Sequence, residues 1–311
     1  MNRILLSCLA VSLVGVAQAS FTLALVADNV GRCIHRYDLD SGVYLGKFGQ
    51  FALGSAYTMG LDQTRNKLYV GESSTIKAFN YNTGEYLYSM NGITSVGLGV
   101  FSNGDLLTST GGSVSRINST TGATINTYNL SAGGLQGTVA GIAVDENDRV
   151  YISDAVVGST SNNARIDVFG GTGTYILSSA VYTQRLNNSY QQMTARGGKL
   201  AIGSDTLGGH YQFNYTNSTM VYGLTGFSYG GMTQSMGNGF GHGNLLYVTG
   251  MDGSGNPLLQ VTDSYSMTTT IPTPQISTNG MRQMAIVVAP EPGTIAALAL
   301  GIAFLNRRRK R

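Results

Sequence analysis

The sequence predicts an all-β protein folded as a six-bladed β-propeller, within a range of five to seven blades. Gly contributes 43 of the 311 residues and charged residues only 11%, while 18 Tyr and 10 Phe supply aromatic bulk. A similar apolar segment recurs six times, at intervals of 38 to 50 residues. Turn sequences rich in Gly, Asn and Asp separate shorter stretches of alternating polarity. Many short strands joined by tight turns account for all three observations.

Each recurring unit contains a central apolar strand that usually follows a short polar turn. In the first four units, a hairpin turn containing Gly begins 13 to 20 residues after the start of this strand, and alternating strands flank it. Each unit therefore predicts four short strands. The six apolar strands are Leu23–Ala27, Leu68–Gly71, Leu106–Ser109, Val150–Ser153, Leu200–Gly203 and Leu245–Thr249.

A four-stranded sheet has two faces to cover and cannot cover both by itself. Radial stacking of such sheets around an axis covers them, and propeller blades occupy about 40–50 residues each. The first strand, Thr22–Ala27, has no preceding partner in its own unit. We therefore expect Met284–Val288 to pair with it as the outer strand of that sheet, which closes a propeller body of residues 20–288.

The first 19 residues have the pattern of a signal peptide. The apolar run Ile4–Val16 follows a basic residue, and Ala17 and Ala19 form an A-x-A cleavage site before Ser20. This order is typical of substrates of the Sec export machinery. The chain is therefore predicted to be exported.

The formal net charge of +3 does not indicate a nucleic acid partner. The two terminal segments hold six of the 19 Lys and Arg and one of the 16 Asp and Glu. The body is left with 13 basic and 15 acidic residues, a net charge of about −2. No nucleic acid binding is predicted.

Residues 289–311 form a second segment with its own character. Pro290, Glu291 and Pro292 are followed by the apolar run Ile295–Leu305 and then by the basic cluster of Arg307, Arg308, Arg309, Lys310 and Arg311. The prolines favour an extended segment around Glu291. The twelve residues from 294 to 305 form a helix of about 18 Å, shorter than a hydrocarbon core of about 30 Å. This favours a transient membrane anchor; a buried or amphipathic helix with a basic tail is the alternative.

This C-terminal segment resembles the PEP-CTERM sorting signal of exported bacterial proteins. The Pro-Glu-Pro triplet, the apolar helix and the Arg-rich end occur in the same order. The resemblance implies recognition by an exosortase-type membrane enzyme near Glu291. It also implies delivery to the cell surface or the extracellular matrix after a transient stage in the inner membrane.

The fourth unit carries a second resemblance. Gly141–Asp154 followed by Arg165–Phe169 resembles an NHL-type repeat, in which G-I-A-V-D, a turn, Y-I-x-D and R-I-x-V-F follow one another. The resemblance implies a propeller fold and no particular reaction.

Acidic residues lie at the ends of several of the apolar strands. Asp28, Glu72, Asp154 and Asp205 do so, and Asp252 is slightly displaced. If these strands were innermost, the acids would approach a central channel and could hold a cation such as Ca²⁺. The favoured alternative is that each side chain closes a turn on its own backbone.

Two further groups contain residue types that bind metals. Cys33 and His35 share one face of a strand, but two ligands do not make a zinc site. Cys33 is expected to be buried and inert, with an intermolecular disulfide as the alternative. Asp145–Asp148 has part of a Ca²⁺ loop but lacks its Gly and distant Glu, so a hairpin turn is favoured.

Tyrosines could stack on sugars, for example Tyr81, Tyr86 and Tyr88, but aromatic side chains also pack across strand pairs without any ligand. Packing is the favoured interpretation of these three residues.

The sequence contains no G-x-S-x-G, Cys-x-x-Cys or Walker motif, so no catalytic residue, metal site or cofactor is predicted. The favoured function is a non-enzymatic surface or matrix protein that binds a polysaccharide or another protein. A propeller lyase or lactonase with a metal in its channel is the first alternative. A structural matrix component without a discrete ligand is the second.

Overall fold

The computed structural model describes residues 22–56, 58–110, 112–132, 138–155, 163–182, 192–203, 210–214, 219–223, 232–241, 245–262 and 267–288. Within these ranges the chain forms β-strands and one short 3-10 helix, Leu130–Ala132. The all-β prediction is confirmed.

Most strands are four to eight residues long, and short turns or loops join them. In chain order they are β1 (Thr22–Asp28), β2 (Cys33–Asp38), β3 (Tyr44–Phe48), β4 (Thr58–Asp62), β5 (Lys67–Gly71), β6 (Thr75–Asn80), β7 (Tyr86–Asn91), β8 (Gly97–Val100), β9 (Leu106–Ser109), β10 (Val114–Ile117), β11 (Thr124–Thr127), β12 (Thr138–Val144), β13 (Val150–Ala155), β14 (Asn163–Phe169), β15 (Tyr175–Tyr182), β16 (Met193–Arg196), β17 (Lys199–Gly203), β18 (His210–Asn214), β19 (Thr219–Gly223), β20 (Met232–Phe240), β21 (Leu246–Asp252), β22 (Pro257–Thr262), β23 (Met267–Ile271) and β24 (Met281–Val288).

These strands form six four-stranded antiparallel sheets. Five sheets use four consecutive strands each, and the remaining sheet has the order β24-β1-β2-β3. The strands β24, β4, β8, β12, β16 and β20 neighbour one another in that order around an axis, and β20 returns to β24. Sheets arranged radially in this way form a β-propeller. The predicted propeller, with five to seven blades, is confirmed.

The pairing that closes the ring is also as predicted. Thr22 lies opposite Val288, and Val26 lies opposite Met284, in the antiparallel β1–β24 pair. The radial position of β24 differs from the prediction: it is the innermost strand of its sheet, and the outer strand is β3. β3 has the half-exposed pattern of a rim strand. β24 is buried along nearly its whole length, because neighbouring sheets enclose it near the axis.

The core is divided among the interfaces between neighbouring sheets. The described residues contain one apolar cluster in each of six such interfaces. β1 contributes to two clusters: Leu25 packs with Leu68 of the second sheet, and Val26 packs with Tyr247 of the last. A strand between two covered faces must be apolar throughout, which explains the continuous apolar sequence of β1.

Glycines serve two different purposes in this arrangement. Gly84 and Gly122 have φ angles of 80° and 73° in the outer hairpins, a conformation that a side chain disfavours. Gly239 lies on the innermost strand β20, where a Cβ atom would come within 2.4 Å of Ile286 Cγ1 on β24. The absence of a side chain at Gly239 therefore lets two inner strands approach each other beside the central channel.

Candidate functional site

The innermost strands enclose a central cavity of about 200 Å³. Its wall consists of residues from β4, β8, β12, β16, β20 and β24 together with Gln192, and most are apolar or Gly. Arg196, Gln192 and Asn238 are the larger polar side chains of this wall. Among the described residues that line the cavity there is no Asp, Glu, Cys or His.

Three glutamine side chains join the closing strand β24 to neighbouring segments near the axis. Gln192 accepts a hydrogen bond from the Met284 N–H at 2.9 Å and donates one to the Met284 carbonyl. Gln63 donates to the Val288 carbonyl and accepts from the Val288 N–H at 3.2 Å. Gln283, which belongs to β24, accepts from the Met59 N–H at 2.8 Å. These bonds satisfy polar groups along the free edge of an innermost strand.

Substitution of Gln192 by Ala should lower the free energy of unfolding by about 1–3 kcal/mol, because the N–H and carbonyl of Met284 lose their partners in a buried setting. Urea denaturation followed by circular dichroism measures this difference. Gln50, which is exposed, provides the matched control Gln50→Ala, for which a change within about 0.5 kcal/mol is expected. Equal effects of the two substitutions would contradict the bracing role of Gln192.

Among the described strand-end acids, Asp28 and Glu72 do not line the central cavity. Asp28 ends β1, and Glu72 directly follows β5. Both strands are second in their sheets, with β24 and β4 nearer the axis, so the assumption that β1 and β5 are innermost is wrong. The Glu72 carboxylate instead accepts from the Gly54 N–H at 2.6 Å and pairs with Lys77 Nζ at 2.9 Å. The side chain of Asp154 and the whole of Asp205 lie outside the described residues.

Asp252 closes a turn on its own backbone, as the favoured interpretation of the strand-end acids predicts. Its carboxylate accepts hydrogen bonds from the N–H groups of Ser254 and Asn256 at 2.8 and 2.9 Å. The hydrogen bond from the Asn256 side chain, followed by those from the backbone N–H groups, lowers the pKa of Asp252. The side chain therefore stabilises the β21–β22 turn.

A compact polar cluster lies away from the channel, at the β1–β2 hairpin. Asp28, Cys33 and His35 are each 1% exposed. His35 Nε2 lies 3.4 Å from Cys33 Sγ and 3.3 Å from Asp28 Oδ2. Asp28 also accepts from the Gly31 N–H at 2.7 Å and from the Ser277 N–H at 2.8 Å. The cluster thus joins the hairpin to the loop that precedes β24.

The electrostatics of this cluster follow from its burial. Burial alone would raise the pKa of Asp28, but hydrogen bonds from His35, Gly31 and Ser277 outweigh it and hold that pKa well below its usual range. Burial, and then the charge of Asp28, raise the pKa of the Cys33 thiol to about 11. The expected burial of Cys33 is confirmed, and a thiol with this pKa is a poor nucleophile at neutral pH.

Sequence reasoning placed Cys33 and His35 on one face but missed the third member. The sequence offered Asp28 as a channel acid or, preferably, as a turn residue, because its contact with His35 depends on the register of the β1–β2 hairpin. That register places Asp28 directly opposite Cys33. The short turn between the two strands was the available signal, since directly opposed residues in an antiparallel pair have neighbouring side chains.

The acidic turn Asp145–Asp148 binds protein groups. Asp145 accepts hydrogen bonds from the N–H groups of Asn147 and Arg149 at 2.9 and 2.8 Å, and from the Tyr151 hydroxyl at 3.0 Å. Asp148 accepts from the N–H and the hydroxyl of Ser102 on the preceding sheet, both at 2.7 Å. These contacts support the hairpin interpretation of this turn.

The three tyrosines considered for sugar stacking do not share one exposed face. Tyr81 is 4% exposed and belongs to the core between the first two sheets. Tyr88 packs on the next core and donates a hydrogen bond to the Ser119 carbonyl at 2.9 Å. Tyr86 is 45% exposed and contacts Phe79 edge-on. The packing interpretation therefore holds for Tyr81 and Tyr88.

Both terminal segments lie outside the described residues, including Ala17, Ala19 and Ser20 of the signal peptide and all of residues 289–311. Within the part of the chain that the structure describes, no helix has the length and apolar character needed to cross a membrane.

A protein-family model for the PEP-CTERM protein-sorting motif matches residues 288–310. The chain therefore carries this sorting motif, which begins at the last residue of β24. The motif indicates export and surface sorting, and processing by an exosortase-type system. No curated protein matches the chain.

Several solved structures resemble the propeller at low sequence identity. A nidogen/laminin complex has a TM-score of 0.63 at 15% identity, covering 85% of this chain and 98% of that chain. A protein of unknown function from Bacteroides caccae has a TM-score of 0.61 at 11% identity, covering 86% and 99%. Kuenenia stuttgartiensis hydrazine synthase has a TM-score of 0.54 at 10% identity, covering 79% and 82%. These likenesses show the fold alone.

Proposed function

We propose that this exported propeller is a non-enzymatic surface or extracellular-matrix protein that binds a polysaccharide or another surface protein. Its C-terminal segment is held briefly in the inner membrane and removed by an exosortase-type enzyme. The observation that carries the proposal is the PEP-CTERM match at residues 288–310, directly after the strand that closes the ring.

The position of the motif supports a removable tail. β24 ends at Val288, and Gln63 binds both backbone polar groups of Val288. The described β1–β24 pairing runs from Thr22 opposite Val288 to Asp28 opposite Met281. Cleavage near Glu291 would therefore leave the propeller complete.

The channel supports a non-enzymatic role. The described wall of the cavity is mostly apolar or Gly, and Gln192 and Asn238 bind neighbouring backbone. A lyase or lactonase of the kind weighed as the alternative needs acids or imidazoles that converge on the channel. Asp28 instead contacts His35, and Glu72 pairs with Lys77, so these two acids are not available to a metal in the channel.

The rim offers a surface for binding. Tyr86 and Leu87 on the outer strand β7 are 45% and 37% exposed, and Tyr175 and Ile176 on the outer strand β15 are 37% and 48% exposed. Each pair follows the Gly of its hairpin by two residues, so the same position is used in two sheets. These exposed apolar side chains are the positions of the rim at which we place contact with a partner. Silence of the purified propeller on a glycan array would favour a protein partner or a purely structural role.

Mass spectrometry and fractionation in the native host test the sorting step. The wild-type mature protein should begin at Ser20, end close to Glu291 and occur at the cell surface or outside the cell. Glu291→Ala should retain the tail through Arg311 and accumulate in the inner membrane, because the enzyme loses the acidic residue between its two prolines.

The exposed hairpin residue Glu85 supplies a matched control, since Glu85→Ala removes a carboxylate from the propeller and should be processed normally. A wild-type mature protein with an intact Arg307–Arg311 cluster would overturn the sorting proposal.

A further inference from the structure

The buried cluster of Asp28, Cys33 and His35 contains three side chains of the types that bind transition metals. Their ligand atoms all lie within 4.8 Å of one another, and no other such group occurs among the described residues. We propose that this cluster is a structural zinc site, with Cys33 Sγ, His35 Nε2 and Asp28 Oδ2 as protein ligands of one Zn²⁺ ion.

The distances between ligand atoms match a tetrahedral ion. Bonds of about 2.3 Å to sulfur and about 2.0 Å to nitrogen or oxygen, at tetrahedral angles, place sulfur and nitrogen about 3.5 Å apart, and nitrogen and oxygen about 3.3 Å apart. The corresponding distances are 3.4 Å between Sγ and Nε2, and 3.3 Å between Nε2 and Oδ2. Two of the three separations therefore already suit one ion, and the third, between Cys33 Sγ and Asp28 Oδ2, is within 4.8 Å.

Neighbouring groups hold the ligands in orientation. His35 Nδ1 lies 3.2 Å from the Tyr44 hydroxyl on β3, so a proton on Nδ1 can be donated to Tyr44 while Nε2 faces the cluster. The Asp28 carboxylate is positioned by the N–H groups of Gly31 and Ser277. Such outer contacts orient ligands in known metal sites. They come here from β3, from the hairpin and from the loop before β24.

Charge balance selects the kind of ion. A thiolate, a carboxylate and a neutral imidazole together carry two negative charges, which a divalent cation neutralises. A bound cation stabilises the Cys33 thiolate, and the thiol proton is released to solvent on binding. Sulfur and imidazole ligands favour Zn²⁺ over Ca²⁺ or Mg²⁺. A water molecule would complete the four-coordinate shell.

The location gives the metal a structural purpose. Asp28 ends β1, Cys33 and His35 begin β2, and Ser277 lies in the loop that leads into the closing strand. An ion bound here would brace both the hairpin and that loop. The site lies outside the channel and is independent of the sorting proposal.

The test uses the mature exported protein, purified without chelator, then stripped with EDTA and reloaded with Zn²⁺ or Co²⁺. Elemental analysis should find about one zinc per chain. Loading with Co²⁺ should give a thiolate-to-metal band in the near ultraviolet and the visible bands of a tetrahedral ion. Zn²⁺ should raise the melting temperature of the stripped protein.

Three variants locate the site. Cys33→Ser should abolish the near-ultraviolet band and the thermal response to Zn²⁺. Tyr44→Phe should weaken Zn²⁺ binding by about 10-fold or more while keeping the band, as expected for an orienting group. Glu72→Gln, which alters a strand-end acid in the next sheet, should bind Zn²⁺ as the wild type does.

A wild-type protein that takes up no stoichiometric zinc and shows no Co²⁺–thiolate band would overturn the proposal. So would a Cys33→Ser variant with wild-type affinity. Because the first result concerns the unaltered protein, misfolding of a variant cannot obscure it.

Discussion

Truncation of the mature chain after residue 280 should abolish cooperative folding, because the protein loses β24 and with it the closure of the ring. β1 then loses its pairing with residues 281–288. Met281, Met284 and Ile286 leave one interface core, and Ala285 and Val287 leave another. Full burial of a large apolar side chain contributes roughly 1.5–3 kcal/mol. The sum of several such losses is comparable to the net stability of a domain, about 5–15 kcal/mol.

Truncation after residue 288 is the matched control for this experiment. It removes the sorting segment but retains the β1–β24 pair and the contacts of Gln63 with Val288. Its denaturation midpoint should equal that of the mature protein, with the same sharp transition by circular dichroism. A cooperative transition at the same midpoint in the shorter chain would show that the propeller does not depend on β24.

Much of the fold follows from the spacing and polarity of the sequence. The six recurring apolar strands predicted the sheets, and the missing partner of Thr22–Ala27 predicted its pairing with Met284–Val288, which the structure contains. Spacing did not reveal which end of each sheet faces the axis. Alternation of polarity distinguishes the two faces of a strand, but it carries no information about radial position.

The radial order instead depends on small residues and on contacts between sheets. Gly239 lies where a side chain would collide with Ile286, so an innermost strand can be apolar without containing large residues. β1, with the stronger apolar sequence, was assigned the inner position that belongs to β24. The hypothesis that Asp28 and Glu72 lie at the central channel depended on an innermost position for β1 and β5, which the structure contradicts.

The cluster of Asp28, Cys33 and His35 could be predicted from the sequence only in part. Cys33 and His35 are two residues apart, so their shared face follows from the sequence. Asp28 joins them through the hairpin register, and Tyr44 and Ser277 join through the neighbouring strand and a distant loop. A group assembled from separate segments has no local sequence pattern. The sequence therefore predicted only that Cys33 and His35 lie close together.

Substitution of Asp145 by Ala should lower the free energy of unfolding by about 2–3 kcal/mol, because buried donors lose a charged acceptor. The Asp145 side chain is 0% exposed and pairs with Arg149 Nε at 2.7 Å. Asp145 also accepts a hydrogen bond from the Tyr151 hydroxyl, and Tyr151 is fully buried in the core between the fourth and fifth sheets. Removal of the carboxylate deprives Tyr151 and the turn amides of an acceptor, and urea denaturation measures the resulting loss.

Two comparisons decide whether this effect comes from the turn or from a bound ion. Glu146→Ala removes an exposed carboxylate from the same turn and should change stability by less than about 1 kcal/mol. Addition of Ca²⁺ should leave the stability of both the wild type and Asp145→Ala unchanged, because Asp145 and Asp148 already bind protein donors. A Ca²⁺-dependent gain in the wild type that disappears in Asp145→Ala would instead establish a calcium loop at this hairpin.

Without that gain, the two acids of this turn stabilise contacts within and between sheets. Asp145 binds Arg149 of its own turn, and Asp148 binds Ser102 of the preceding sheet.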